Sequence, residues 1–159
     1  MIKKFIKSMT YALKGIYIGI KEERNVRIDI TAGIYVLWLS SFYNFTRVEW
    51  ALVLLICFVV PAFEMMNTAV ERTVKNPTAE RYMIAGEAKD TAAGSVLLAA
   101  FGAACAGIFL FGDLDVINKI IQYFTTNILH TVILALSMLC AYYFITIDKF
   151  SDKKNRKKG

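Results

Sequence analysis

Several common routes to function are closed to this chain by what it lacks. Its 159 residues include one histidine, three cysteines and two prolines. His130 has no second ligand at metal spacing. Cys57, Cys105 and Cys140 each fall in an apolar run, their count is odd, and no pair has CxxC spacing. They read as small hydrophobes rather than as a disulfide framework or a zinc site. Neither GxxxxGK[ST] nor GxGxxG after a strand occurs, so any nucleotide site must be assembled from helix ends and side chains. The N-terminus has no continuous apolar stretch ahead of small residues, so no cleavable signal peptide is expected. With so little proline, long helices are permitted. Internal repeats are absent, and so is low-complexity sequence apart from a basic tail.

What is abundant is apolar sequence, at 57% of the residues. Residues 91–112 carry no charge, and residues 120–147 carry no Asp, Glu, Lys or Arg and a single histidine, His130. Each run is long enough to cross about 30 Å of hydrocarbon as a helix. Shorter runs at 30–46 and 50–63 complete a set of four crossings, expected at 28–46, 49–75, 90–112 and 126–147. The formal charge of +6 invites a nucleic-acid reading, but its distribution describes a topology instead. With the N-terminus inside, 17 of the 19 Lys and Arg residues fall on the inner side, and only Arg47 and Lys119 fall outside. That positive-inside bias places both termini in the cytoplasm, with no nucleic-acid partner. The tail at 149–158 reads as a stop anchor beside the headgroups.

The first twenty residues behave differently. Ile2, Phe5, Ile6, Met9, Leu13, Ile16, Tyr17 and Ile20 recur at three- and four-residue steps, with lysines largely between them. This is the pattern of an amphipathic helix lying in the interface plane. It runs into the charged stretch Lys21-Glu22-Glu23-Arg24-Asn25, and Asp29 lies at the mouth of the first crossing. Pro61 lies within the second crossing, where membrane helices tolerate it. In the third, Ala99, Ala103 and Gly107 form a small-residue stripe that would let backbones approach closely. Residues 113–127 read as an outer loop or short surface helix, and Tyr142, Tyr143 and Phe144 as an aromatic belt.

The chemistry is concentrated on the second crossing, where Glu64, Asn67 and Glu71 project within about 60° of arc on one helical face. A carboxylate beside hydrocarbon is costly, so an intramembrane acid is a functional candidate. The alternative is an interfacial Glu71 and a Glu64 paired with a structural cation. Glu23 and Asp90 join the cluster at the same membrane level. Carboxylate and amide oxygens suit Mg²⁺, which shares its shell with water and phosphates. Phosphoryl transfer needs a base at the attacking hydroxyl, a metal on the phosphates and a cation for the developing charge. Glu64, Glu71 and Lys89 have the chemistry for those roles.

Glu64-Met65-Met66-Asn67-Thr68-Ala69-Val70-Glu71, followed by Ala88-Lys89-Asp90-Thr91-Ala92-Ala93-Gly94, resembles the signature of the bacterial diacylglycerol kinase and undecaprenol kinase family. Lys14-Gly15, Glu22-Glu23-Arg24-Asn25 and Arg27 lie at matching distances upstream, so the resemblance covers about residues 4–112. Glu-Arg-Asn and Ala-Ala-Gly are more similar to the Gram-positive undecaprenol kinase branch. The resemblance implies Glu64 as the base, Glu23 and Glu71 as ligands of the ATP-bound Mg²⁺, and Asn67 beside them. It implies nucleotide binding by Lys4, Tyr11, Glu23, Glu71, Glu80, Tyr82, Lys89 and Asp90. It further implies a homotrimer in the bacterial plasma membrane, with active sites shared between subunits at the cytoplasmic surface.

The expected fold is therefore an all-α membrane protein. A lipid kinase core at 1–112 would comprise the interfacial helix and three crossings. Residues 113–159 would add a loop, a fourth crossing and the tail. The expected reaction is phosphorylation of a membrane lipid alcohol by MgATP, with undecaprenol ahead of diacylglycerol. A non-catalytic scaffold derived from the family is the reading of another class. The chain departs from the family pattern at Lys75, where Asp is usual. Four residues after Glu71 on a continuous helix, Lys75 is expected to reach that carboxylate and compete with metal. Arg81-Tyr82 replaces the usual Tyr-His.

Overall fold

A computed structural model describes residues 2–75, 78 and 81–147, which form six α-helices and, among the described residues, no strand. Glu80, the Asn76-Pro77 connection and the basic tail lie outside the described residues. The expected interfacial helix is α1 (Ile2–Glu22). Its apolar face stays largely open, with Ile2, Phe5 and Tyr17 all exposed. Gly19 alone is buried, where α1 meets α3 (Arg47–Thr73). A Cβ at Gly19 would lie 3.3 Å from Met65 Cγ and Cε, so glycine permits the approach.

Glu23, in extended conformation, joins α1 to α2 (Arg24–Ser40). The elbow is held by Arg27, which is 2% exposed. Its Nη1 donates to the carbonyls of Ile20 and Lys21, each at 3.0 Å, and its Nη2 to the carbonyl of Ile145 at 3.2 Å. The last carbonyls of a helix lack internal partners and sit at the negative end of its dipole, which suits a guanidinium. Arg27 thus ties the end of α1 to the end of α6 (Ile128–Thr146).

The first crossing was expected over 28–46, and the helix instead runs from Arg24 to Ser40. Its 17 residues span about 25 Å at 1.5 Å per residue. The hydroxyls of Ser40 and Ser41 bond back to Val36 and Trp38 carbonyls, and the chain turns there. Three helices are long and apolar enough to cross a membrane by length and composition: α3, α4 (Tyr82–Phe111) and α6. α2 falls short because of its length and the charges at Arg24, Arg27 and Asp29.

α3 starts from a capping box in which Thr46 accepts from the Glu49 N–H and Glu49 accepts from the Thr46 N–H. It passes through Pro61, whose ring frees the Cys57 carbonyl four residues earlier. Gly33 brings α2 against the same residue, a Cβ there lying 3.5 Å from Cys57 Cβ. α4 starts eight residues before the expected third crossing, and α2 and α4 supply most of the packing against α3. Ala99, Ala103 and Gly107 are half-buried on α4, but a Cβ at Gly107 would meet nothing within 4 Å, so the stripe does not bring backbones together there. Residues 113–127 resolve as α5 (Leu114–Thr126), capped by Asp113 Oδ1.

The apolar surface faces outward. Val26, Tyr43 and Val53 are the buried hydrophobics, whereas Phe58, Leu97 and Phe109 are more than two-thirds exposed. With a mean hydropathy of +0.47, this is a helical bundle whose solvent on most faces is lipid.

Candidate active site

The Glu64–Asn67–Glu71 face forms a gradient of exposure along α3. Glu64 is 6% exposed, Asn67 is half-buried and Glu71 is exposed. Seven residues separate the two carboxylates, about 10 Å along the helix. Asn25, in the first turn of α2, donates its side-chain N–H to Glu64 Oε1 at 2.7 Å. Asp29, one turn further on α2, lies close enough for its charge to act on Glu64. Asn67 Oδ1 is buried without a hydrogen-bond partner among the described residues, an acceptor open to a donor or a hard cation.

Beyond Glu71 the face opens into a cleft of about 700 Å³. Its charged walls are Glu22, Glu23 and Glu71 against Arg72, Lys75 and Lys89. Arg72 Nη2 bridges Glu23 at 2.7 Å and Glu22 at 3.0 Å, fastening the end of α3 to the α1–α2 elbow. Lys89 Nζ lies 3.5 Å from Glu71 Oε1, joining α4 to α3. The expected Lys75–Glu71 pair is not formed. α3 ends at Thr73, so Lys75 no longer sits one helical turn above Glu71, and Lys89 pairs with the carboxylate instead.

The structure brings together Glu23, Glu71 and Lys89, with Glu64 and Asn67 below them. Asp90 follows Lys89 on α4 and is exposed, outside the cleft lining, and Tyr82 is exposed at the start of α4. Lys4 and Tyr11 are not brought to the cleft. α1 is one continuous helix leading away from Glu23, which puts Tyr11 about 18 Å and Lys4 about 28 Å along it. Tyr11 has Lys7 Nζ over its ring at 5.8 Å. Sequence reasoning missed Arg72 as the clamp on Glu22 and Glu23, and Asn25 as the partner of Glu64. The one available signal was a polar residue at the entry of an apolar segment.

Among the described residues no three His, Cys, Asp or Glu side chains converge as a metal cage. Two carboxylates and an unpaired amide oxygen fit an ion that arrives with phosphate and water ligands of its own, as Mg²⁺ on a nucleotide does. An apolar groove of about 850 Å³, whose lining does not include Glu64, runs between α1, α2 and α3, with Ala62 and Met65 in its wall.

The description of the prokaryotic diacylglycerol kinase family matches residues 10–111, which include this whole constellation. The chain belongs to that family. It is 31% identical to the undecaprenol kinase of Bacillus subtilis over 69% of its own length and 89% of the relative's. It is 35% identical to a diacylglycerol kinase of Synechocystis, over 63% of this chain and 58% of the relative. With the diacylglycerol kinase of Haemophilus influenzae it shares 32% identity, over 67% and 92% respectively. No solved structure matches. α5 and α6 lie beyond the family segment, so Arg27 joins the family core to an addition.

Proposed function

We propose that this chain transfers the γ-phosphate of MgATP to the hydroxyl of undecaprenol. Its family makes it an ATP-dependent lipid kinase of the membrane. The observation that carries the mechanism is a buried carboxylate, Glu64, two helical turns below a cleft whose acidic and basic side chains balance. Glu64 accepts the proton of the lipid hydroxyl, and the oxygen attacks the γ-phosphorus. The bond from γ-phosphorus to the bridging oxygen breaks, and ADP leaves with that oxygen. Glu23 and Glu71, now paired with Arg72 and Lys89, would hold a nucleotide-borne Mg²⁺ together with the Asn67 amide oxygen, and that ion would neutralise charge on the phosphates. Arg72 and Lys89 in the cleft wall are the cations that would face the phosphates, where charge develops during transfer. The groove between α1, α2 and α3 is apolar enough for a hydrocarbon chain.

Undecaprenol is favoured by the Bacillus subtilis relative, and diacylglycerol by the relatives that carry its name. Purified protein with MgATP and the two lipids side by side separates them. Faster phosphorylation of diacylglycerol would overturn the proposal, and phosphorylation of neither would favour the scaffold reading. Lys4, Tyr11, Tyr82, Asp90 and Glu80 complete the nucleotide site in a homotrimer, where a neighbouring subunit supplies what one chain leaves distant. Both termini face the cytoplasm, given the 17-to-2 distribution of basic residues. Cysteine labelling from each side of intact cells checks that orientation, and a C-terminus reachable only from outside would reverse it.

A further inference from the structure

We infer that Asn25 is a positioning residue for Glu64, its side-chain amide holding one carboxylate oxygen so that the other is presented to the lipid hydroxyl. This rests on the reading of Glu64 as the base. The contact is short, 2.7 Å from Asn25 Nδ2 to Glu64 Oε1, and joins residues 39 positions apart on different helices. Burial alone does not select among the rotamers of a side chain with three rotatable bonds, whereas a directed hydrogen bond does.

The mount is rigid. Val26 and Arg27, the residues after Asn25, are 0% and 2% exposed, and Arg27 is pinned to the Ile20, Lys21 and Ile145 carbonyls. The first turn of α2 therefore sets where the amide points. About 100° around α3 from Glu64, α1 presents Gly15, Ile18 and Gly19 beside Met65, none with a polar side chain. Asp29 on α2 brings a like charge, and Asn67 on α3 brings an amide whose Oδ1 accepts nothing. Asn25 is thus the only donor to Glu64 among the described residues.

The chemical type of the donor matters. A cation at this position would hold the carboxylate equally well but compete for the proton-accepting charge. A neutral amide orients Glu64 and leaves its charge to act on the hydroxyl. A base displaced by about 1 Å loses a large part of its effectiveness, so orientation is a rate effect rather than an affinity effect.

The test is kinetic, on the purified full-length protein with MgATP and undecaprenol in mixed micelles. Asn25→Ala should lower kcat by about tenfold to a hundredfold while KM for ATP and for lipid stays within about twofold. Asn25→Leu keeps the approximate shape and removes the donor without adding a charge, so it should fall at least as far. It also serves if the alanine variant does not fold. In a Glu64→Asp background the shortened carboxylate no longer reaches the amide, and adding Asn25→Ala should change kcat by less than about twofold. An equal effect in both backgrounds would mean a purely structural role and overturn the inference. A rise in lipid KM alone would mean that Asn25 contacts the substrate, which also overturns it, as would wild-type turnover in Asn25→Leu. Glu64→Gln separates the two levels. If it retains turnover, the base reading fails; if it is inactive while the Asn25 variants are normal, only the positioning role fails.

Discussion

The two ends of α3 meet opposite conditions. At the Thr46 end the polar groups are closed upon themselves. Thr46 and Glu49 satisfy each other, and the Tyr43 hydroxyl donates to the Phe111 carbonyl at 3.0 Å. Tyr43, Phe45, Trp50 and Phe111 pack ring against ring. At the Glu71 end Arg72 and Glu71 are paired with residues outside α3: Arg72 with Glu22 and Glu23, and Glu71 with Lys89. Deeper in, Asn67 Oδ1 has no hydrogen-bond partner among the described residues. A helix end capped by its own sequence neighbours has the donors and acceptors of that cap already engaged. An end held by exposed ion pairs can exchange those partners for a nucleotide at little cost, since such pairs contribute only about 0–1 kcal/mol.

If this contrast is right, substitutions at the two ends should separate activity from stability. The largest effect is expected from Glu64→Gln, which keeps the shape and removes the proton acceptor. Turnover should fall by about 10²–10⁴-fold with ATP binding nearly intact. Single-turnover phosphorylation and nucleotide titration measure the two halves of that statement, and wild-type turnover would remove Glu64 from the mechanism. Arg27→Met comes next, because it strips the donors from the Ile20, Lys21 and Ile145 carbonyls. A loss of about 3 kcal/mol in stability is expected, together with reduced activity as the elbow carrying Glu23 loosens. Unfolding in detergent reads the first, and a loss below about 0.5 kcal/mol would show that the staple is incidental.

Lys75→Asp should have a smaller effect and the opposite sign. Lys75 lines the nucleotide cleft, and a carboxylate there should lower the Mg²⁺ concentration for half-maximal activity by about two- to fivefold. Loss of activity in a folded protein would instead make Lys75 part of the catalytic machinery. Thr46→Ala is expected to have the smallest functional effect. It should cost about 1 kcal/mol of stability by removing the cap and leave kcat unchanged. A changed kcat would show that the two ends communicate along α3.

The helices were readable because their cause is local. The amphipathic repeat of Ile2 to Ile20 needed no partner to be recognised, nor did the polar continuation of α3 past Pro61. The Glu64–Asn67–Glu71 face follows from helical geometry alone. The early end of α2 was harder to see, because it depends on the Ser40 and Ser41 hydroxyls turning back to carbonyls within an otherwise apolar run. Lys75 was misplaced because a periodic argument assumes that the helix continues, and α3 stops two residues before it.

What composition and periodicity established was the class of molecule: apolar helices for a lipid solvent, an interfacial helix, and an acidic face carrying the family's signature. Which charge meets which was left to the tertiary structure. Asn25 and Glu64 are 39 residues apart, Arg72 and Glu23 are 49, and Arg27 and Ile145 are 118. Such pairings depend on the rotation and depth of each helix against its neighbours. Those are set by contacts such as Gly19 on Met65 and Gly33 on Cys57, where a missing side chain sets how near two backbones come. The amino-acid pattern records that a glycine is present. Only the packed bundle decides what it lies against, because approach distance is a property of two helices together.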